Sequence, residues 1–390
     1  MSSEKKIPFL DLKGQYNQIK DEVLEAVEEV FANTAFTNGF SVKNFEKNFA
    51  DFCDTEFAST VNSGTSALHL AMRVLDIGKG DEVIIPANTF IATAWAPLYV
   101  NATPVFVDCD PETWQIDPLK IEEIITEKTK AIIGVHLYGQ PFDIDAVKKI
   151  ADKHNIYLIE DAAQAHGAKY SPCGIEKKQS EPNNISKNIP QGKGKRIGGF
   201  GEMACFSFYP GKNLGTYGEG GAITTNNEDY FKRIQSLKDH ASVNKYYHEE
   251  EGYNMRMGGV EGAVLGIKLK YIDDWNNRRR EIAKMYQDGI TNPKIKMQKQ
   301  PDNVESVYHL FVITTEDRDS FIRYLNNNNI FPGMHYPVPC HLQKAFTKLG
   351  YKKGDMPNSE YLAEHCISLP MFAELNNEDV NNVIDVINKY

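Results

Sequence analysis

No run of 18 apolar residues occurs anywhere in the 390-residue chain, which leaves no candidate for a membrane-crossing helix. Cysteine is scarce as well: the six residues (Cys53, Cys109, Cys173, Cys205, Cys340 and Cys366) are scattered and none belongs to a C-x-x-C pair. That excludes a disulfide scaffold and reads as reduced, mostly structural thiols of a cytoplasmic protein. The opening segment MSSEKKIPFLDLKGQY carries charge but no apolar run behind it, so it does not read as a secretory signal. Positive charge is in deficit, with 43 Lys and Arg against 53 Asp and Glu, a net charge of −10. Such a balance argues against general binding to nucleic acid or anionic membranes. It leaves room for a locally positive pocket and an anionic small substrate. No metal site is expected, because His154 and His166 flank Asp161 at spacings that match no familiar ligand set and no second acidic cluster follows.

What is present is the texture of an α/β protein. Between Asp81 and Asn226 short apolar or β-branched runs recur as EVIIP, PVFVD, AIIGVHLYG, YLIEDAA, ACFSFYP and GAITTN. Runs that are apolar on both faces and alternate with helical stretches indicate a largely parallel sheet covered by helices. Val42–Phe52, Ser66–Leu75, Pro118–Glu127 and Ile144–His154 carry the three- and four-residue spacing of helices. Beyond Asn226 the pattern is helical to about Tyr286. A second α/β unit follows, with a strand in VYHLFVITT, a helix in DRDSFIRYLNNNN and a terminal helix over Asp379–Tyr390. A boundary near Asn254–Gly259 divides the chain into a large unit over 1–254 and a small one over 255–390. No internal repeat is seen. Ser171–Arg196 interrupts the alternation with a polar, Gly-, Pro- and Asn-rich stretch that reads as an exposed, mobile insertion. Its G-K-G-K-R run lacks the spacing and strand-to-helix setting of a phosphate-binding loop.

Three places could carry chemistry. Asn62-Ser63-Gly64-Thr65-Ser66 opens the helix whose apolar face is Ala67, Leu68, Leu70, Ala71, Val74 and Leu75. A helix start leaves N–H groups free, so this segment is either a plain cap or a phosphate site. Asp161 ends the apolar strand YLIED, where an open parallel sheet places its ligand crevice, although an aspartate there could equally cap a helix that starts at Ala162. Lys212 lies in the glycine-rich connection FSFYPGKNLGTYGEGGA, beside Ser207, Tyr209 and Tyr217, whose side chains could enclose its amine, lower its pKa and ready it for a Schiff base. Together with Phe90 after EVIIPANTF, these groups meet the separate demands of pyridoxal phosphate. Its dianionic phosphate needs donors, its ring nitrogen a carboxylate, its aldehyde an amine and its ring a flat apolar face.

Eight ordered segments, NSGTSALHL, PANTFIAT, PVFVD, HLYGQ, IEDAAQAHGA, SFYPGKNLGTYGEGGA, YNMRM and HYPVPCHLQ, resemble the sugar-nucleotide aminotransferases of the DegT/StrS-like group, which are fold-type I pyridoxal-phosphate enzymes. The resemblance runs from PFLDL to the last helix. It implies Lys212 as the Schiff-base lysine and proton carrier, and Asp161 as the partner of the ring nitrogen. It also implies Gln164 at the ring hydroxyl, Gly64, Thr65, Ser66 and Ser207 at the phosphate, and Phe90 on the ring. Asn254 would reach the phosphate from a neighbouring subunit, making the protein a homodimer, and Tyr217, His335, Tyr336 and His341 would face the sugar nucleotide. The chain departs from the group in its insertion, Ser171–Arg196, and in Glu219, where Asp is frequent. Lysine at 212 separates it from relatives that dehydrate sugars and carry His there. Members acting on 4-keto sugars tend to show His-x-x-Lys in the lysine loop, and Tyr209 takes that His place. The resemblance therefore implies transfer of an amino group from L-glutamate to a dTDP-linked 3-keto-6-deoxyhexose, giving a 3-amino-3,6-dideoxyhexose for surface glycan of the O-antigen or lipopolysaccharide kind. A 4-keto-sugar aminotransferase and a non-catalytic, pyridoxal-phosphate-binding regulator are the alternatives.

Overall fold

The computed structural model describes residues 5–172, 194–244, 246–248 and 250–390. Its strands are β1 (Phe57–Val61), β2 (Glu82–Pro86), β3 (Thr103–Val107), β4 (Thr129–Val135), β5 (Tyr157–Asp161), β6 (Lys169–Tyr170), β7 (Lys195–Arg196), β8 (Met203–Ser207), β9 (Gly221–Thr225), β10 (Ser242–Asn244), β11 (Tyr247–His248), β12 (Lys296–Met297), β13 (Val304–Glu305), β14 (Phe311–Thr314) and β15 (Cys366–Leu369). The helices are α1 (Leu12–Ala32), α2 (Phe40–Phe52), α3 (Gly64–Val74), α4 (Ile91–Tyr99), α5 (Pro118–Ile121), α6 (Ile144–His154), α7 (Glu228–Leu237), α8 (Gly259–Lys268), α9 (Ile272–Gly289), α10 (Arg318–Asn327), α11 (Pro357–His365) and α12 (Asn377–Asn388).

Seven strands form the main sheet in the order β1-β9-β8-β5-β4-β2-β3. Only β9 runs against its neighbours; the β5–β8, β4–β5, β2–β4 and β2–β3 pairs are parallel. Both faces are covered, which is why the strands read as unbroken apolar runs. On one face Phe45 and Phe49 of α2 meet Phe206 and Phe208, with ring centroids 5.0–5.3 Å apart and planes 78–88° apart. Each such edge-to-face pair adds about 0.5–1.5 kcal/mol beyond area burial. On the other face Leu68, Leu70 and Ala71 of α3 pack with Val83 and Ile85 of β2.

The small unit has a three-stranded sheet, β12-β14-β15, packed on α9, α10 and α12 through Tyr286, Phe321, Leu325, Val383 and Ile387. Ile7 from the chain's start joins this core. Val264, Leu265, Ile272 and Trp275, by contrast, belong to the core of the main sheet, and α8 packs on α1 and α2. On this packing we propose that the division between the units runs through α9, not at residue 254.

Two expectations need correction. Pro118–Glu127 is not a full crossover helix: one turn of α5 and a 3-10 turn over Glu122–Ile124 fill it. The ends of Ser171–Arg196 are not a free loop, because β7 pairs antiparallel with β6 and β6 with β13. Arg196 stacks on Phe52 at 4.4 Å and bonds Asp273 at 2.7 Å, so the final lysine and arginine of G-K-G-K-R serve packing. The interior of that insertion, residues 173–193, lies outside the described residues. Cys53, Cys109, Cys205, Cys340 and Cys366 are buried free thiols. Among the described residues no helix is long and apolar enough to cross a membrane.

Candidate active site

The carboxyl ends of the parallel strands and the start of α3 enclose a cavity of about 630 Å³, within the size range of cofactor and substrate pockets. Asp161 stands at its wall because β5 ends there. The side chain is 5% exposed; Oδ2 accepts from Thr93 Oγ1 at 2.7 Å and Oδ1 from the Ala163 N–H at 3.1 Å. Both donors are neutral, and burial pushes the Asp161 carboxyl above its ordinary pKa.

Lys212 opens into the same cavity from the connection between β8 and β9, and its amine has no hydrogen-bond partner among the described residues. Burial lowers its pKa to about 8, against the opposing pull of Asp161. A larger fraction of neutral amine is therefore present near neutral pH than for a surface lysine.

The third element is the start of α3. Ser63 caps it, its Oγ accepting from the Ser66 N–H at 3.1 Å. The first helical N–H groups, at Gly64 and Thr65, have no acceptor within the helix. A Cβ on Gly64 would lie 2.7 Å from Ser207 Cβ, and one on Gly221 would lie 2.4 Å from the Ser63 carbonyl carbon. Glycine at both places thus lets the helix start press against the ends of β8 and β9, forming a cradle with Ser207 beside the free N–H groups.

Phe90 lines the cavity, half exposed, with its ring 5.6 Å from that of Tyr336. Gln164 is buried between two tyrosines: Nε2 donates to Tyr336 Oη at 3.0 Å and Oε1 accepts from the Tyr138 N–H at 2.6 Å. His335 Nδ1 lies 2.8 Å from Ser368 Oγ, and the ring stacks on Phe9 at 5.4 Å. Burial, then the charge of Lys212, lowers the His335 pKa to about 4, so this ring is neutral at pH 7.

Of the residues singled out from sequence, Gly64, Thr65, Phe90, Asp161, Gln164, Ser207, Lys212, His335 and Tyr336 line this one cavity, as does Glu219. Four do not. Ser66 turns back, its Oγ donating to Asn62 Oδ1 at 2.6 Å, because Ser63 holds the cap position. Tyr217 points toward Tyr16 and lies under Lys268 Nζ, 4.6 Å from its ring centroid. His341 is buried, with Nε2 3.0 Å from Glu360 Oε1; its place in a 3-10 turn directs it into the core beside Phe106. Asn254 is exposed and accepts from Arg256 Nη2 at 2.7 Å, away from the cavity of its own chain. Missed from sequence were Phe9, Leu10, Thr89, Thr93 and His309, none of which carries a local signal.

A pyridoxal-phosphate ring suits this donor set. Among the described residues Asp161 is a buried carboxylate without a bonded cation and Lys212 an unpartnered amine, and the Gly64–Ser207 cradle offers N–H and O–H donors to a phosphate. Fold and site together define a fold-type I, pyridoxal-phosphate-dependent aminotransferase. The chain belongs to the DegT/DnrJ/EryC1/StrS aminotransferase family, whose model matches residues 17–388. It is similar to the dTDP-3-amino-3,6-dideoxy-alpha-D-galactopyranose transaminase of Aneurinibacillus thermoaerophilus, 42% identical over 384 residues, 98% of this chain and 99% of that protein. It is also similar to the dTDP-3-amino-3,4,6-trideoxy-alpha-D-glucose transaminase of Streptomyces venezuelae, 39% identical over 386 residues, 99% of this chain and 96% of that one. A protein of Geobacillus stearothermophilus named a pleiotropic regulatory protein is 38% identical over 387 residues, 98% of each chain. Among solved structures, DesV of S. venezuelae superposes with a TM-score of 0.91 at 39% identity over 98% of both chains. NtdA of Bacillus subtilis with bound PMP superposes with a TM-score of 0.86 at 28% identity, covering 99% of this chain and 86% of that one.

Proposed function

We propose that this aminotransferase moves the amino group of L-glutamate to the 3-keto carbon of a dTDP-linked 6-deoxyhexose, producing a 3-amino-3,6-dideoxyhexose. The observation that carries the reading is an unpartnered, buried Lys212 sharing one cavity with a buried Asp161. Bound pyridoxal phosphate supplies an aldehyde that captures amines and a ring that accepts negative charge from the donor's α-carbon. The chain's residues do the rest. Lys212 would hold the aldehyde and would carry the proton that leaves the donor's α-carbon. Asp161 keeps the ring nitrogen protonated, with Thr93 and Ala163 fixing its two oxygens. Gly64, Thr65 and Ser207 bind the phosphate, Phe90 covers the ring, and Gln164, pinned by Tyr138 and Tyr336, meets the ring hydroxyl. His335, Tyr336 and Tyr209 form the sugar side.

The 3-keto preference is supported by two relatives, the transaminases of A. thermoaerophilus and S. venezuelae, whose names specify 3-amino sugars, and by Tyr209 three positions before the lysine. A homodimer that adds Asn254 to the partner's phosphate site is supported by the exposed Leu98 and Tyr99 on α4 and by Phe31 and Phe36. Cytoplasmic activation of sugars for surface glycan fits these parts. The name of the Geobacillus relative favours a regulatory reading as second.

The test is turnover of purified protein with pyridoxal phosphate and L-glutamate on dTDP-linked 3-keto- and 4-keto-6-deoxyhexoses, read by mass spectrometry. Amination of the 4-keto sugar alone overturns the 3-keto reading. A glutamate half-reaction with neither sugar consumed favours the regulator.

A further inference from the structure

Tyr138 lies behind the cavity wall, 2% exposed, and the chemistry above gives its phenol no task. Its place follows from the sheet. In the register of β4 with β5, Val135 pairs with Asp161, and Tyr138 and Gln164 each lie three residues beyond that pair. The turn that carries Tyr138 is held from several sides. The His136 N–H donates to the Asp161 carbonyl at 3.0 Å, and the Gln115 side chain bonds both the N–H and the carbonyl of Leu137, at 3.2 and 3.1 Å. Tyr138 itself takes φ 64° and ψ 5°, a left-handed conformation that costs a residue with a Cβ about 1–2 kcal/mol. In that conformation all three of its polar groups are used. The N–H donates to Gln164 Oε1 at 2.6 Å, the carbonyl accepts from the Leu310 N–H at 3.3 Å, and Oη donates to the His335 carbonyl at 2.6 Å. A peptide N–H only donates and a carbonyl only accepts, so Gln164 presents Oε1 to Tyr138 and Nε2 to Tyr336 Oη, 3.0 Å away. His335 and Tyr336 are neighbours in the chain. The bonds therefore close a ring that runs from Tyr138 through Gln164 and Tyr336 to His335 and back.

We propose that Tyr138 is a positioning residue for the sugar nucleotide: its phenol fixes the His335–Tyr336 segment against the strand ends that carry Asp161 and Gln164, and so sets the wall that the sugar meets. The opposing ties of this segment come from the small unit. His335 Nδ1 lies 2.8 Å from Ser368 Oγ, and Gly333 exchanges two backbone bonds of 2.9 Å with Ser368. Phe9 stacks on the His335 ring, with centroids 5.4 Å apart. Tyr138 thus joins the main sheet to a segment that β15 holds from the other side. Burial keeps the phenol well above its ordinary pKa, so its hydroxyl remains a donor. Gln164 is bound by the backbone N–H of Tyr138, whatever side chain stands at 138. Loss of the phenol therefore touches the sugar's side of the cavity and spares the cofactor's.

This inference rests on the reading that His335 and Tyr336 face the sugar. The test sets two amines against each other on holoenzyme: L-glutamate and, for the reverse direction, a dTDP-linked 3-amino-3,6-dideoxyhexose. Each bleaches the visible cofactor band in a single turnover. In Tyr138→Phe the response to L-glutamate should stay within about twofold of wild type. The amino sugar should need about tenfold more for half-maximal rate, as for one lost hydrogen bond, with the maximal rate within about threefold. Calorimetry of the apoprotein with the same amino sugar should show the same tenfold loss of affinity. A merely structural role would weaken the response to both amines alike. Equal losses with both, or an amino-sugar affinity unchanged in either measurement, overturn the proposal. His335→Ala and Tyr336→Phe judge the underlying reading separately. If both leave the amino sugar's half-saturating concentration unchanged, the sugar side lies elsewhere and the proposal falls with that reading. Should Tyr138→Phe fail to fold, Ser368→Ala decides, because it frees His335 from the opposite side: a selective weakening of the amino sugar is expected, and no change overturns the proposal.

Discussion

Replacing Asp161 with Asn separates the charge at this position from its shape. The fold has the means to accept the change. The substituted amide would keep an oxygen for the Ala163 N–H, and its NH₂ group could donate to Thr93 Oγ1, whose own hydrogen would then turn to Thr89 Oγ1, 2.9 Å away. No contact need be lost, so the apoprotein should unfold in urea at the same or a higher concentration. Burial raises the Asp161 pKa in the folded apoprotein. The stability linked to this group is therefore full below the unfolded-state value and lost as pH rises through the folded one. Asp161→Asn should abolish that loss. With cofactor bound the balance reverses, because a buried cation loses its counter-charge at a cost of about 3–5 kcal/mol. At about 1.4 kcal/mol per tenfold, the half-reaction with L-glutamate should slow by between about two and four orders of magnitude. The assay is stopped-flow absorbance of the cofactor band after mixing with L-glutamate, beside urea melts of both apoproteins at several pH values. A half-reaction within tenfold of wild type would refute the role given to Asp161.

Gly64→Ala would bring a methyl 2.7 Å from Ser207 Cβ; the required shift costs about 1–3 kcal/mol, and titration of the apoprotein should show pyridoxal phosphate bound ~10–100-fold more weakly. Glu160 is buried, accepts from the Phe200 and Gly201 N–H groups at 2.8 and 3.0 Å, and lies 3.2 Å from His136 Nε2. Burial alone would raise its pKa, but the bonds to His136 and the two N–H groups outweigh it and leave the value lowered. Glu160 thus stabilises the fold above the ordinary carboxylate range and loses that contribution as pH falls through the lowered value. Acid unfolding should be flatter in Glu160→Gln, and an unchanged acid limb would show the pair to be inert. Because His335 titrates at about 4 and Lys212 at about 8, the pH profile of apoprotein capture of pyridoxal phosphate should show a limb near 8 and none between 5 and 7. A histidine-like limb near 6.5 would contradict the burial argument.

Much of the site was legible in sequence because its groups are set by local rules. Asp161 ends an apolar strand, Lys212 sits among glycines between two strands, and Gly64 opens an amphipathic helix; each signal lies within about ten residues. The partners that make these groups work lie far off in the chain. Thr93 reaches Asp161 across 68 positions, Asn213 meets His309 across 96, and Tyr138 Oη donates to the His335 carbonyl across 197. The same distance explains the misplaced residues. Tyr217 and His341 belong to segments that line the site, but their side chains point to Tyr16 and Glu360, partners supplied by other elements.

The sequence by itself determined the α/β class, the parallel core of the sheet and the lysine, carboxylate and helix start that fit the cofactor, because periodicity and strand ends are short-range properties of the chain. Tertiary structure decided which neighbours surround them. It set Asp161 against neutral donors, tied His309 to Asn213 and Asn213 to Asn276, and drew α8 onto α1 and α2. Those choices follow from packing among elements remote in sequence, and burial, not residue type, is what moves the pKa values of Asp161, Lys212 and His309.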